Sequence, residues 1–171
     1  EPEPLTEKPL SVSSLPFGKA VQESATKGHP DSEVVTFDSR FHTINEILMG
    51  TDKPMIVDGD TGGDANTVEY TVSKLERAGV SAVIIEDKVF PKRNSLEAGV
   101  QQNLQEPEIF AQKIRRGKSI QKGSEFMIIA RIESLIAGKP MPDALDRATQ
   151  YPHAGVDGPA LIHISNPPTP Y

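Results

Sequence analysis

The sequence predicts an α/β protein, an incomplete (β/α) TIM-type barrel, and three observations carry that expectation. Four apolar runs of strand length end in polar or ionisable groups. They are Met55-Ile56-Val57 before Asp58-Gly59-Asp60, Ala82-Val83-Ile84-Ile85 before Glu86-Asp87-Lys88, Met127-Ile128-Ile129-Ala130 before Arg131-Ile132-Glu133, and Ala160-Leu161-Ile162 before His163-Ile164-Ser165. Near-continuous apolar runs are what parallel strands covered on both faces look like. Helical patterns alternate with the runs, which implies parallel pairing through right-handed crossovers. The length is the third observation: 171 residues fall short of the roughly 250 typical of a closed eight-stranded barrel, so about five of eight strands are expected. Ionisable residues at successive strand ends mark a barrel's active face, and function is expected there.

Residues 1–9, rich in Pro and Glu, are expected to form a disordered tail. The barrel domain is expected over 10–165, with a Pro-rich tail at 166–171. Leu10 to Leu15 suits a short strand ended by Pro16, and Phe17 to Phe37 reads as loop with one helical turn. Asp38 or Ser39 can cap a helix to Met49, with Phe41, Ile44, Ile47 and Leu48 on one face. Asn66 to Ala78 places Val68, Val72 and Leu75 on one face before the stop at Gly79. A long polar segment, Asp87 to Gln105, follows the second run and is long enough for a lid, a length that would equally suit a disordered insertion. A helix then runs from Pro107 to Ser119 with the stripe Ile109, Phe110, Lys113 and Ile114, and another from Pro142 to Tyr151. Pro152 interrupts the pattern, and Pro159 opens the last strand.

Composition excludes several functions. The net charge of −6 argues against nucleic-acid and anionic-membrane partners, which favour clustered Lys and Arg. The sequence has 0 cysteines, which removes disulfides, thiolate metal sites and cysteine catalysis together. The first residues lack a basic start followed by an apolar core, and no apolar run is long enough to span a membrane. A cytoplasmic protein is expected.

Asp58, Asp60 and Glu86 are hard oxygen donors of the kind Mg²⁺ prefers. Carboxylates two residues apart on a strand point to one side, so Asp58 and Asp60 could share an ion. The plainer reading is a turn with carboxylate caps, at about even odds from the motif alone. Glu86 shifts those odds, because a carboxylate ending a buried strand needs a partner. The stretch Asp58 to Glu69 also matches several positions of a calcium loop, but a strand enters it where an EF-hand requires a helix. Lys92, Arg131 and His163 could hold a phosphate or carboxylate. Each alone is more often a surface cation or a structural histidine, and their shared placement on one face is what singles them out.

Glu86-Asp87-Lys88-Val89-Phe90-Pro91-Lys92-Arg93-Asn94-Ser95 resembles the phosphoenolpyruvate mutase branch of the isocitrate lyase superfamily. The likeness continues through Asp58-Gly59-Asp60-Thr61-Gly62-Gly63, Ile129-Ala130-Arg131-Ile132-Glu133-Ser134 and Ile162-His163-Ile164-Ser165. The resemblance implies an α/β barrel that uses Mg²⁺ to interconvert phosphoenolpyruvate and phosphonopyruvate, the entry to carbon–phosphorus natural products. It implies metal organisation by Asp58, Asp60 and Glu86, a lid carrying Lys92 and Asn94, and phosphoryl binding by Arg131 and His163. Ser13-Ser14-Leu15 resembles the family's substrate-carboxylate loop, Asp31 its downstream acid, and Ser165 falls in its last matching motif. The lyases of the superfamily place a cysteine in the lid, which this sequence lacks. Phosphonopyruvate hydrolase usually has Thr where Asn94 stands, so Asn94 favours the mutase and leaves the hydrolase as the alternative.

Against the family pattern, the first strand, the last two βα units and the final helix that partners exchange on oligomerisation are expected to be missing here. The resemblance implies a homo-oligomer, an implication that the missing helix weakens. A truncated homologue, even an inactive metal-binding fragment, is therefore a further expectation.

Overall fold

The computed structural model describes residues 33, 35–95 and 99–161. Its centre is a sheet of four parallel strands in the order β1-β2-β3-β4: β1 is Ile56–Asp58, β2 Ala82–Glu86, β3 Met127–Ile132 and β4 Gly158–Leu161. Helix α1, Phe37–Met49, precedes the sheet. Helices α2 (Ala65–Arg77), α3 (Pro107–Ile120) and α4 (Met141–Gln150) fill the three crossovers. A helix between each pair of parallel neighbours is the repeating unit of a (β/α) barrel.

The apolar periods place the core. Val68, Val72 and Leu75 of α2 are fully buried, as are Phe110 and Ile114 of α3. They enclose Val83, Ile85, Ile128 and Ile132 of the sheet. All five residues of β2 are buried, whereas β4 alternates between half-buried and exposed. β2 is thus covered on both faces, and β1 and β4 are the edges among the described strands.

Gly117 lets α3 lie against α2 and β3, because a Cβ there would come within 2.9 Å of Val68 Cγ1 and 3.3 Å of Ile128 Cδ1. Gly117→Leu is expected to destabilise the fold by about 1–3 kcal/mol through overpacking. Urea unfolding measures it, and an unchanged midpoint would mean that this contact is loose.

Several boundaries differ from expectation for local reasons. Thr36 caps α1, its hydroxyl accepting from the Ser39 N–H, in place of Asp38 or Ser39. Ile109 lies outside the buried stripe of α3, at 56% exposed, while Lys113 belongs to it at 4%. α4 ends at Gln150, and Tyr151–Ala154 form a 3₁₀ turn with Pro152 in its first turn. A proline has no N–H to contribute and is tolerated there. Leu10 to Leu15, the two tails and Ile162 to Ser165 lie outside the described residues.

The segment after β2 is pinned at its neck. Lys88 and Leu104 form an antiparallel bridge, Val89 N–H donates to Asn103 O at 2.9 Å, and Gln105 N–H donates to Asp87 O at 2.8 Å. The chain leaves and returns at one point, with Phe90-Pro91 joined by a cis peptide.

Candidate active site

The carboxyl end of β1 gathers charge from four parts of the chain. Asp58 is the strand's last residue, and its Oδ1 accepts the Asp60 N–H at 3.0 Å. Asp60 then turns into the left-handed region, φ 52°, which Asp tolerates better than most residues. The strand ends before Asp60, so the alternation argument that paired it with Asp58 does not hold. Arg40 of α1 reaches Asp60 Oδ2 at 2.5 Å, and Lys92 Nζ stands 2.8 Å from Oδ1. Glu33 closes the other side, accepting from Thr61 N–H at 2.9 Å and from Lys92 N–H at 3.0 Å.

The ends of β2 and β3 supply the second group. Glu86 and Arg131 are register partners in the parallel ladder, so their side chains leave the same face. Arg131 Nη2 pairs with Glu86 Oε2, Nη1 with Asp58 Oδ2 at 3.0 Å, and Nε with Glu133 Oε1 at 2.8 Å. Glu133 also receives Lys88 Nζ at 3.5 Å and the Ser95 hydroxyl at 3.2 Å, and Lys88 Nζ donates to Arg93 O at 3.1 Å.

Burial pushes the Glu86 carboxyl up to about 7, against Arg131, Lys92 and Lys88, which favour the carboxylate. Burial also opposes the Asp58 carboxylate, but there Arg131, Lys92 and the Asp60 N–H prevail and hold its pKa below the ordinary range. Two neighbouring carboxyls are thus driven in opposite directions.

Beneath this face lies a buried cluster. Asp87 Oδ1 accepts the Glu133 N–H at 2.9 Å, and its Oδ2 accepts the Tyr151 hydroxyl at 2.6 Å and Arg147 Nη1 at 3.1 Å. Arg147 also donates to Gln105 O at 2.9 Å and to Asp143 Oδ1 at 3.0 Å. This cluster joins the neck of the segment after β2 to α4. Burial and the adjacent Asp87 raise the Tyr151 pKa well above the ordinary phenol value.

Lys113 holds the loop after β1 from below, donating to Thr61 O at 2.5 Å. Burial lowers its pKa from 10.5 to about 8. Between those two values the unfolded chain binds a proton that the native state releases, so stability rises with pH from about 8 to 10.5. The rise amounts to at most about 3 kcal/mol. In urea titrations across that window, Lys113→Met is expected to flatten it, and parallel curves for the two proteins would refute the assignment.

Asp58, Asp60, Glu86, Lys92 and Arg131 therefore meet at one face, with Asn94 two residues beyond Lys92 and its carbonyl accepting Gln102 Nε2 at 2.9 Å. Ser13, Ser14, Leu15, Asp31, His163 and Ser165 lie outside the described residues. Among the described residues no three His, Cys, Asp or Glu side chains converge as a ready metal cage. Even so, the donors fit a hard cation: they are all oxygens, and Glu86 Oε1 is buried without a hydrogen-bond partner. Sequence reasoning missed Glu33, Arg40, Lys88, Glu133, Arg147 and Tyr151. Lys88 and Glu133 stood among the ionisable groups at the strand ends, and Arg147 shares the buried face of α4 with Ala144 at helical spacing, which Tyr151 continues into the 3₁₀ turn; Glu33 and Arg40 left no signal.

A parallel (β/α) sheet with carboxylates and cations at its strand ends defines the class, a barrel-type enzyme scaffold with a charged active face. Comparison with known proteins supplies the family. The family model described as phosphoenolpyruvate phosphomutase matches residues 19–169, and the chain belongs to that family. Phosphoenolpyruvate phosphomutase of Tetrahymena pyriformis is 37% identical over 148 residues, covering 86% of this chain and 49% of the relative. Phosphonopyruvate hydrolase of Variovorax sp. (strain Pal2) is also 37% identical over 148 residues, covering 86% and 51%.

Among solved structures, phosphoenolpyruvate phosphomutase from Streptomyces platensis subsp. rosaceus superposes with a TM-score of 0.80 at 38% identity, over 83% of this chain and 50% of that one. A phosphonopyruvate hydrolase complex with oxalate and Mg²⁺ gives 0.76 at 32%, over 85% and 50%. The fold is thus the (β/α) barrel of the phosphoenolpyruvate mutase and isocitrate lyase superfamily. The chain spans about half the length of the curated relatives it matches.

Proposed function

We propose that this face interconverts phosphoenolpyruvate and 3-phosphonopyruvate with Mg²⁺, as a phosphoenolpyruvate mutase. The observation that carries the reading is the meeting of Asp58 and Glu86 with Arg131 and Lys92 at the ends of three strands and the lid. In the reaction the carbon–phosphorus bond breaks and a phosphorus–oxygen bond forms on the enolate of the same molecule, so no co-reactant is needed. A loose, metaphosphate-like transfer asks for positioning and charge neutralisation more than for a strong nucleophile.

Asp58 and Glu86, with Asp60 nearby, would hold the ion, which when bound supplies positive charge opposite the developing enolate. Lys92 is buried at the lid's entrance, and with Arg131 it would steady the phosphoryl oxygens. His163, from the motif after β4, is assigned to the same task, Ser13, Ser14 and Leu15 to the substrate carboxylate, and Asp31 and Ser165 to substrate binding. Asn94 would contact phosphorus-bound oxygens without acting as a base. The pinned neck of the lid supports water exclusion, which keeps the transferring group from hydrolysis.

The hydrolase is the second reading, favoured by its equal identity over the same span. Asn94 weighs towards the mutase. ³¹P NMR of the purified chain with phosphonopyruvate and Mg²⁺ decides between them. A phosphoenolpyruvate signal is expected, and inorganic phosphate would instead establish the hydrolase. No change in a folded sample would overturn both and leave a site without turnover.

A further inference from the structure

We propose that Arg131 is an internal counter-ion which a divalent cation displaces from Asp58 and Glu86, so that uptake of the ion frees a guanidinium for an anionic substrate. The inference rests on the reading above for where the ion binds.

Arg131 forks across both carboxylates, Nη1 lying 3.0 Å from Asp58 Oδ2 and Nη2 pairing with Glu86 Oε2. A hard dication takes such carboxylate oxygens directly or through water. It therefore competes with the guanidinium for the same lone pairs, and the two like charges repel at contact distance in a largely buried site. Glu86 Oε1 has no hydrogen-bond partner and is buried, which gives an incoming ion a first foothold.

The side chain has a pivot for the exchange. Its Nε lies 2.8 Å from Glu133 Oε1 as an ion pair without hydrogen-bond geometry, and Glu133 is fixed independently by Lys88 Nζ at 3.5 Å and Ser95 Oγ at 3.2 Å. Released at Nη1 and Nη2 but held at Nε, the guanidinium presents its open edge to an anion, the group it binds best in a planar fork. Glu133 is then a positioning residue, acting through Arg131 and on the loop that carries Lys92 and Asn94.

The sign of one measurement separates this exchange from simple support. If Arg131 only orients the carboxylates, removing it weakens the ion; if it competes, removing it tightens the ion. The first experiment uses the wild-type chain. Phenylglyoxal modification of Arg131 is followed by peptide mass spectrometry with and without Mg²⁺, after calorimetry has established that Mg²⁺ binds. Coupling between sites is typically about 5–150-fold, so Mg²⁺ is expected to accelerate modification at least about fivefold.

Arg131→Met, checked for folding by circular dichroism, is expected to bind Mn²⁺ about tenfold tighter in an electron paramagnetic resonance titration, within the same range. Unchanged or slower modification, or weaker Mn²⁺ binding by a folded variant, overturns the exchange. Should the variant not fold, the wild-type modification decides alone. Absence of Mg²⁺ binding overturns the functional reading and this inference with it. Binding without a change at Arg131 overturns this inference only.

Discussion

Asp87→Ala is expected to lower the unfolding free energy by about 3–5 kcal/mol, the range for removing one partner of a buried ion pair. Asp87 is fully buried and accepts hydrogen bonds from Arg147, Tyr151 and the Glu133 N–H. Without it, Arg147 keeps Asp143, a half-exposed carboxylate, and the carbonyl of Gln105, which is poor compensation for a cation only 6% exposed. Tyr151→Phe removes one hydroxyl and should cost about 1–2 kcal/mol.

The cycle through Asp87→Leu and Arg147→Met should be strongly non-additive, since the double variant leaves no orphaned charge. Urea unfolding of the four proteins measures it, and a loss under about 1 kcal/mol for Asp87→Ala would show that water reaches the cluster. The lid's neck should loosen in the same variants. Gln105 lies between Asp87 and Arg147, donating to one and accepting from the other, so faster hydrogen exchange at its amide is expected.

What the sequence made legible was whatever repeats with a period. The continuous run Ala82 to Glu86 became the strand buried at every residue, and Val68, Val72 and Leu75 became the core face of α2. The strand-end rule then placed Asp58, Glu86 and Arg131 together without any distance in hand. Arg40 and Glu33 could not be read the same way. Their partners Asp60 and Thr61 lie 20 and 28 positions away, and no local pattern separates such residues from solvated ones.

Lys113 sat in the predicted apolar stripe, and its burial there was a clue that a lysine had found an acceptor, Thr61 O. The one site argument from geometry that failed was the parity of Asp58 and Asp60. It presumed a strand through a position where the chain has already turned at φ 52°. Periodicity describes elements, and a catalytic loop begins where an element stops.

That boundary also gives the second large effect. Lys92→Met is expected to reduce kcat/KM for phosphonopyruvate by about 10²–10³-fold, the loss typical of removing one fixed group that faces developing charge. It should do so with little change in stability. Asp60 keeps Arg40 at 2.5 Å when the ammonium is gone, and the main chain of Lys92 stays tied to Glu33 at 3.0 Å. Methionine fills the space of a side chain only 7% exposed.

A residue that merely held the lid in place would move KM and the unfolding midpoint together. A residue that neutralises the transferring phosphoryl group lowers kcat instead. Steady-state kinetics beside a urea curve separates the two. An active Lys92→Met with an altered midpoint would assign Lys92 to the fold, and the charge at the reacting phosphorus would then have to come from Arg131 and the motif after β4.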